Sequence, residues 1–186
     1  MHIAMERDER ILFESFVNCS QRFLEFGAGG STWLAARREK EWLVSVDSSQ
    51  DWLDKVADET RNCLTRPLLE FVDIGPIKEW GFPVGERKSH WSNYHELVWR
   101  RDGLERADLF FIDGRFRVAC ALQCLLRATD GALLGIHDFE RPYYHVILDF
   151  ARSVASSGRL SFFQRLKNFD PSQALALLEK FRFDPA

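Results

Sequence analysis

The segment Phe23-Leu24-Glu25-Phe26-Gly27-Ala28-Gly29-Gly30-Ser31-Thr32 constrains this chain more than any other. A short apolar run ends in an acid, three glycines follow, and two hydroxyl residues open a helical pattern. Glycine lacks Cβ, so the chain can bend sharply there and let a ligand lie against bare backbone. A helix starting immediately afterwards directs unpaired N–H groups and its positive dipole end toward the same place. Such a strand–turn–helix reads as a nucleotide or cofactor turn and requires a layered α/β fold around it.

The rest of the chain supplies that fold. Apolar runs near 22–26, 42–46, 68–72, 108–112 and 132–137 predict strands, and amphipathic stretches between them predict helices. A helix is expected over 6–19, another from Ser31 to about Lys40, and one after Ser48 or Ser49, where Trp52, Leu53 and Val56 recur at helical spacing. Further helices are expected from Phe116 to Ala128 and from Pro142 to about Val154. A last strand at 160–166 and a closing helix at 171–181 complete the series. The region after the fifth strand reads as too short for a full antiparallel strand pair. Continuous apolar strands such as Leu109-Phe110-Phe111-Ile112 imply a mostly parallel, doubly wound sheet covered by helices on both faces.

With 186 residues and 46% hydrophobic content, one domain spanning 1–186 with a sizeable core is expected. A formal charge of −3 argues against a non-specific nucleic-acid binder. No apolar run approaches the roughly 20 residues that cross a bilayer, and the opening residues lack a signal pattern, so a cytoplasmic protein is expected. Cys19, Cys63, Cys120 and Cys124 lack paired metal spacing and read as ordinary thiols. One stretch breaks the alternation. Residues 74–103 hold Trp80, Phe82, Trp91, Tyr94 and Trp99 among prolines, glycines and charges, which reads as an ordered insertion. It is expected to be a lid over a ligand, with a small second core or a dimer face as the alternatives.

In doubly wound sheets ligands sit beyond the C-terminal strand ends. Here those ends carry Glu25 with the glycines, Asp47, Asp73, Asp113 and His137-Asp138. A dinucleotide fingerprint needs a third glycine three residues after the second, and Thr32 stands there instead. The pattern Glu25-x-Gly27-x-Gly29-x-Ser31 resembles the first motif of class I S-adenosylmethionine-dependent methyltransferases. Asp108-Leu-Phe-Phe-Ile-Asp113-Gly114, followed by Gly135-Ile-His137-Asp138-Phe139, is similar to their small-molecule O-methyltransferase branch. Asp73-Ile-Gly-Pro76, Trp80-Gly-Phe-Pro83 and Asp113-Gly-Arg-Phe-Arg117 resemble short bacterial methyltransferase-like proteins. The likeness runs from about Arg22 to Phe163.

The resemblance implies an S-adenosylmethionine site and a methyl transfer to a small molecule. Gly27, Ala28 and Gly29 would receive the methionine portion of the cofactor. Backbone N–H groups near Ser31 and Thr32 would meet its carboxylate, and Glu25 its ammonium, directly or through water. Asp47, beside Ser48, would accept from the ribose hydroxyls, and Asp73 from the adenine amino group. Asp113 is placed nearest the reacting methyl. His137 is the best histidine for a general base, ahead of His90 and His95. Arg115 and Arg117 could grip a substrate carboxylate or phosphate, or form a salt bridge to Asp113. If a divalent cation such as magnesium takes part, Asp113 and Asp138 would be its oxygen ligands. The O-methyltransferase branch carries histidine and tyrosine after Asp-Gly, where this chain has Arg115-Phe116-Arg117. Two other readings stay open: a cofactor-binding protein without catalysis, and a nicotinamide-dependent oxidoreductase. A homodimer is open as the assembly.

Overall fold

The protein is described from a computed structural model, over residues 1–85 and 88–186. Helix α1 (Arg7–Cys19) leads into β1 (Arg22–Phe26), α2 (Gly30–Ala36), β2 (Trp42–Asp47), α3 (Gln50–Thr60) and β3 (Leu68–Phe71). The expected insertion follows. It opens with a two-stranded antiparallel hairpin, β4 (Ile77–Lys78) and β5 (Phe82–Pro83), and continues through 3-10 turns and the short helix α4 (Asn93–Glu96). Then come β6 (Leu109–Ile112), α5 (Arg117–Arg127), β7 (Leu133–Ile136), β8 (Ala151–Ser157), β9 (Leu160–Arg165) and α6 (Pro171–Phe181).

Among the described residues, seven strands form one sheet in the order β3-β2-β1-β6-β7-β9-β8. The first five run parallel, and β9 lies antiparallel to both β7 and β8. Side chains alternate across the sheet, which divides the core in two. Leu24, Phe26, Phe110 and Ile112 face one layer with α5 and α6, whereas Phe23, Leu43, Leu109 and Phe111 face the other with Phe13, Val17 and Leu34. Both faces are therefore apolar, as the continuous strand sequences require. Cys120 and Cys124 are buried free thiols on α5.

Two expectations fail near the C-terminus. The helix predicted from Pro142 to about Val154 is a 3-10 turn over Pro142–Asp149, and the chain then becomes β8. An antiparallel pair does fit after the fifth parallel strand, closed by a turn at Gly158 with φ +54°. The helical spacing of Tyr144 and Ile147 is real, since both are buried. Backbone pairing to β9 overrides it beyond Ala151, where local pattern is a weak guide.

The aromatic insertion also divides. Tyr94 and Trp99 pack against Phe26, and Trp91 and Tyr94 against Phe116. His95 is buried too, its Nε2 3.0 Å from the Arg182 carbonyl oxygen and its Nδ1 3.2 Å from Gln123 Nε2. This half belongs to the main core and is not a lid. Among the described residues of the insertion, those of the β4–β5 hairpin border the cleft at the strand ends.

Candidate functional site

The glycine turn is wedged between the ends of β2 and β6. Gly27 N–H donates to the Val46 carbonyl at 2.9 Å, and Asp113 N–H donates to the Phe26 carbonyl at 2.9 Å. Gly27 has φ +101°, and a Cβ there would lie 2.5 Å from Gly114 N. The first glycine is thus required by handedness and by contact with the Asp113-Gly114 corner. Gly29 differs: a Cβ would meet only the Trp52 ring at 3.7 Å. The Trp52 indole N–H donates to the Ala28 carbonyl at 2.6 Å and holds the outer side of the turn. His2 and Ile3 lie against Gly30.

Glu25 stands behind the turn and is buried. Its carboxylate accepts from the hydroxyls of Ser31, Thr32 and Ser45, the last at 2.7 Å, and Thr32 Oγ1 accepts from Gly29 N–H at 2.8 Å. Burial pushes its carboxyl up to about 7 against the pull of these three donors. Glu25, Ser31 and Thr32 thus brace the turn from beneath, with the carboxylate wholly enclosed behind it.

Asp47 ends β2 on the open side of the turn. Burial raises its carboxyl to about 6, opposed by N–H groups of Ser49, Ser48 and Ala28 and by the more distant charge of Arg115. The Ser49 N–H contact is 3.0 Å. Ser48 is buried beside it, and Gly81 of the hairpin abuts the Ser48 hydroxyl. Asp73 is different: it is exposed and accepts from Gly75 N–H at 2.8 Å, an ordinary turn contact.

The ends of β6 and β7 open into a cleft of about 920 Å³ under the β4–β5 hairpin, lined by Asp113, Arg115, Arg117, His137, Asp138 and Trp80 among others. The glycines, Asp47 and Asp73 do not line it; they lie to one side, across Gly114. The sequence therefore brings five of its candidate residues into one cleft and leaves the cofactor candidates beside it.

Inside the cleft, charge pairing gives Arg117 the salt bridge to Asp113 that was one of its two readings, and it bears on the cation and on His137. Phe116 adopts φ +53° at the cap of α5 and is buried, which turns Arg117 inward. The Arg117 guanidinium lies 3.2 Å from Asp113 Oδ1 and 3.2 Å from Asp138 Oδ2, and it also donates to the Gly114 and His137 carbonyl oxygens. Its side chain is 4% exposed. Arg117 is a cross-link, not a substrate grip. Oxygen and nitrogen atoms of Asp113, His137 and Asp138 do lie within 4.8 Å of one another. However, Arg117 bridges the two carboxylates, and Arg141 (2.8 Å) and Arg159 (3.3 Å) also pair with Asp138. A divalent cation would have to displace or approach these guanidinium groups, so the residues do not fit one.

His137 belongs to the same network. Its Nδ1 lies 3.1 Å from Asp113 Oδ1 and its Nε2 3.4 Å from Glu9 Oε2. Burial lowers its basicity, but Asp113, Asp138 and Glu9 together outweigh that and raise its pKa. Carboxylates at both ring nitrogens hold His137 as a bridge between α1 and the end of β6. Glu9, which nothing in the sequence patterns singled out, is buried on α1. Burial opposes its charge, yet N–H donors of Arg159 and Glu6 and the His137 ring hold its carboxyl down to about 2. The one available signal was an acid among apolar residues on a helix face.

Arg115 alone among these cleft arginines has no ion-pair partner among the described residues, and its Nε is buried without a hydrogen bond. Burial and the neighbouring Arg117 lower its basicity.

No family model matches the chain, and no curated protein matches it in sequence. Solved structures do match. A methyltransferase-like protein of Silicibacter pomeroyi is 29% identical, covers 99% of this chain over 98% of its own, and superposes with a TM-score of 0.89. The N-methyltransferase NodS of Bradyrhizobium japonicum, solved with S-adenosylhomocysteine, is 12% identical over 86% of this chain and 87% of its own, with a TM-score of 0.53. An rRNA methylase of Streptococcus thermophilus is 13% identical over 88% of this chain and all of its own, with a TM-score of 0.55. The fold is that of the class I S-adenosylmethionine-dependent methyltransferases, with its mostly parallel seven-stranded sheet.

Proposed function

We propose that this protein binds S-adenosylmethionine at the glycine turn and transfers its methyl group to an oxygen of a small-molecule acceptor in the adjoining cleft. The observation that carries the reading is Asp47. It is a half-buried carboxylate next to the glycine turn, supplied by backbone N–H groups and raised to about 6. Hydroxyl donors from a ribose would relieve that desolvation, so the residue fits the group. Gly29, where a Cβ would stand against only the edge of the Trp52 ring at 3.7 Å, fits close approach of a ligand to backbone. The antiparallel β9 also departs from the all-parallel sheet of dinucleotide enzymes.

When bound, the cofactor supplies a methyl group already activated on a sulfonium. This chain's residues then act by placement. Glu25, Ser31, Thr32 and Ser45 fix the turn, Asp47 and Ser48 fix the ribose, and Asp73 is assigned to the adenine edge. Asp113 faces the cleft and holds the acceptor near the transfer position. Alignment of this kind contributes roughly 7–11 kcal/mol to barrier reduction. With both His137 ring nitrogens facing carboxylates, a hydroxyl proton departs to water or Asp113, and acceptors that are already ionised are favoured.

Binding is tested by a thermal shift with S-adenosylhomocysteine. At about 100 times the dissociation constant, roughly 2.7 kcal/mol of stabilisation is expected. Asp47→Ala should abolish the shift, and a shift with a nicotinamide dinucleotide alone would overturn the reading. One observation favours cofactor binding without transfer: the cleft's histidine is locked between two carboxylates. Incubation with labelled methyl donor and a small-molecule extract separates the two. A labelled product supports transfer, and tight binding with no product supports the silent form.

A further inference from the structure

Resting on that reading, we infer that the acceptor is a planar aromatic acid, its carboxylate on Arg115 and its ring under Trp80. The first observation is an imbalance of charge partners. Arg117, Arg141 and Arg159 each contact Asp138, and Arg117 also contacts Asp113. Arg115 lines the same cleft with no carboxylate within salt-bridge distance among the described residues and with a buried Nε lacking an acceptor. A guanidinium is planar and matches a carboxylate with two parallel hydrogen bonds. A buried donor without an acceptor is a group that a ligand satisfies.

The second observation is independent and comes from the hairpin. Trp80 sits between β4 and β5 at φ 62° and ψ 25°, a left-handed conformation that is unfavourable for a bulky residue. Yet its indole is 84% exposed, so packing of that side chain does not explain the conformation. The hairpin itself is fixed by Val84 N–H donating to the Pro76 carbonyl at 2.9 Å and by pairing of Lys78 with Phe82. Backbone strain of this kind collects at ligand clamps. Here it sets a flat aromatic surface at the cleft, which Phe82 also lines with Lys78 Nζ 4.8 Å over its ring. A cleft lined by an exposed indole and by an unpaired guanidinium fits a ligand that is both flat and anionic.

The test uses 4-hydroxybenzoate as probe, titrated calorimetrically into the protein alone and with saturating S-adenosylhomocysteine. Its uncharged analogue 4-hydroxybenzamide and the ring-free acid glycolate serve as comparisons. The benzoate should bind at least about tenfold more tightly than the amide, from the loss of charge-assisted hydrogen bonds. It should exceed glycolate by a similar factor, from the loss of aromatic contact. Arg115→Met should bring the benzoate down to the amide's affinity while leaving S-adenosylhomocysteine affinity unchanged. Trp80→Ala should weaken benzoate and amide alike, with unchanged melting curves for both variants. Equal binding of benzoate and amide, or no benzoate binding in either state, would overturn the inference. So would an Arg115→Met loss of S-adenosylhomocysteine affinity, because the guanidinium would then serve the cofactor's own carboxylate. If S-adenosylhomocysteine fails to bind while benzoate binds as described, the methyltransferase reading falls and the aromatic-acid site stands.

Discussion

Gly27 and Gly114 touch backbone to backbone: a Cβ on Gly27 would lie 2.5 Å from Gly114 N and 2.6 Å from its Cα. The glycine turn and the acid-bearing corner of β6 are thus one unit, with Asp113 N–H donating across it to Phe26. Gly27→Ala combines a left-handed φ of +101° with a collision against backbone that has no room to yield. A loss of more than about 3 kcal/mol is expected in denaturant unfolding. Gly29→Ala, whose Cβ would make an ordinary 3.7 Å contact with the Trp52 ring, should stay within about 1 kcal/mol of the parent and weaken S-adenosylhomocysteine binding instead.

Arg117, itself almost fully buried, joins Asp113 to Asp138 at the wall of the cleft, and removing it takes from both carboxylates the cation they share. Arg117→Met should cost about 3–5 kcal/mol, as for breaking other buried ion pairs. Because the guanidinium occupies the space between the carboxylates, magnesium should neither raise the melting temperature of the parent nor be needed for transfer. A magnesium-dependent rise in melting temperature, measured against a chelator, would contradict this assignment.

The buried Glu25 makes stability depend on pH with a definite sign. Its folded-state pKa, about 7, lies above the ordinary value of 4.5. Ionisation therefore costs more in the folded chain, and the parent should lose stability from about pH 4.5 up to pH 7 and no further from this group. Glu25→Gln removes that loss. Between pH 4.5 and pH 8, the stability difference between variant and parent should move by about 3 kcal/mol in favour of the variant. Unfolding curves across that range check it, and a pH-independent difference would count against a buried ionisable carboxyl.

His137 titrates with the opposite chemistry and the same direction. Its folded-state pKa is raised, so its bridge is fully present below about pH 6.5 and is lost as pH rises through the folded-state value. His137→Gln should cost about 2 kcal/mol at pH 6, with the gap narrowing in alkaline solution. If His137 were instead a general base, its removal would flatten the acid limb of a transfer-rate profile and leave stability little changed.

Much of this molecule was legible in its sequence. The order of the five parallel strands, the acid at each end and the glycine turn all follow from local pattern, because apolar period and turn chemistry act over a few residues. Residues 142–154 show where that stops. Their helical spacing lost to a backbone partner, β9, that local sequence does not display. Trp91, Tyr94 and Trp99 likewise read as a lid because composition reports that aromatics will be buried, not against what.

The chemistry of the cleft divides in the same way. Sequence determined that Asp113, Arg115, Arg117, His137 and Asp138 reach one edge, since strand direction alone carries them there. Which arginine would be consumed by carboxylates, and which left free, was decided only by tertiary structure. It depends on the left-handed turn at Phe116 and on Glu9 arriving from a helix 128 residues away from His137. Coulomb energy and desolvation act on distances of a few ångström between elements remote in the chain, and those distances exist only once the sheet has been assembled.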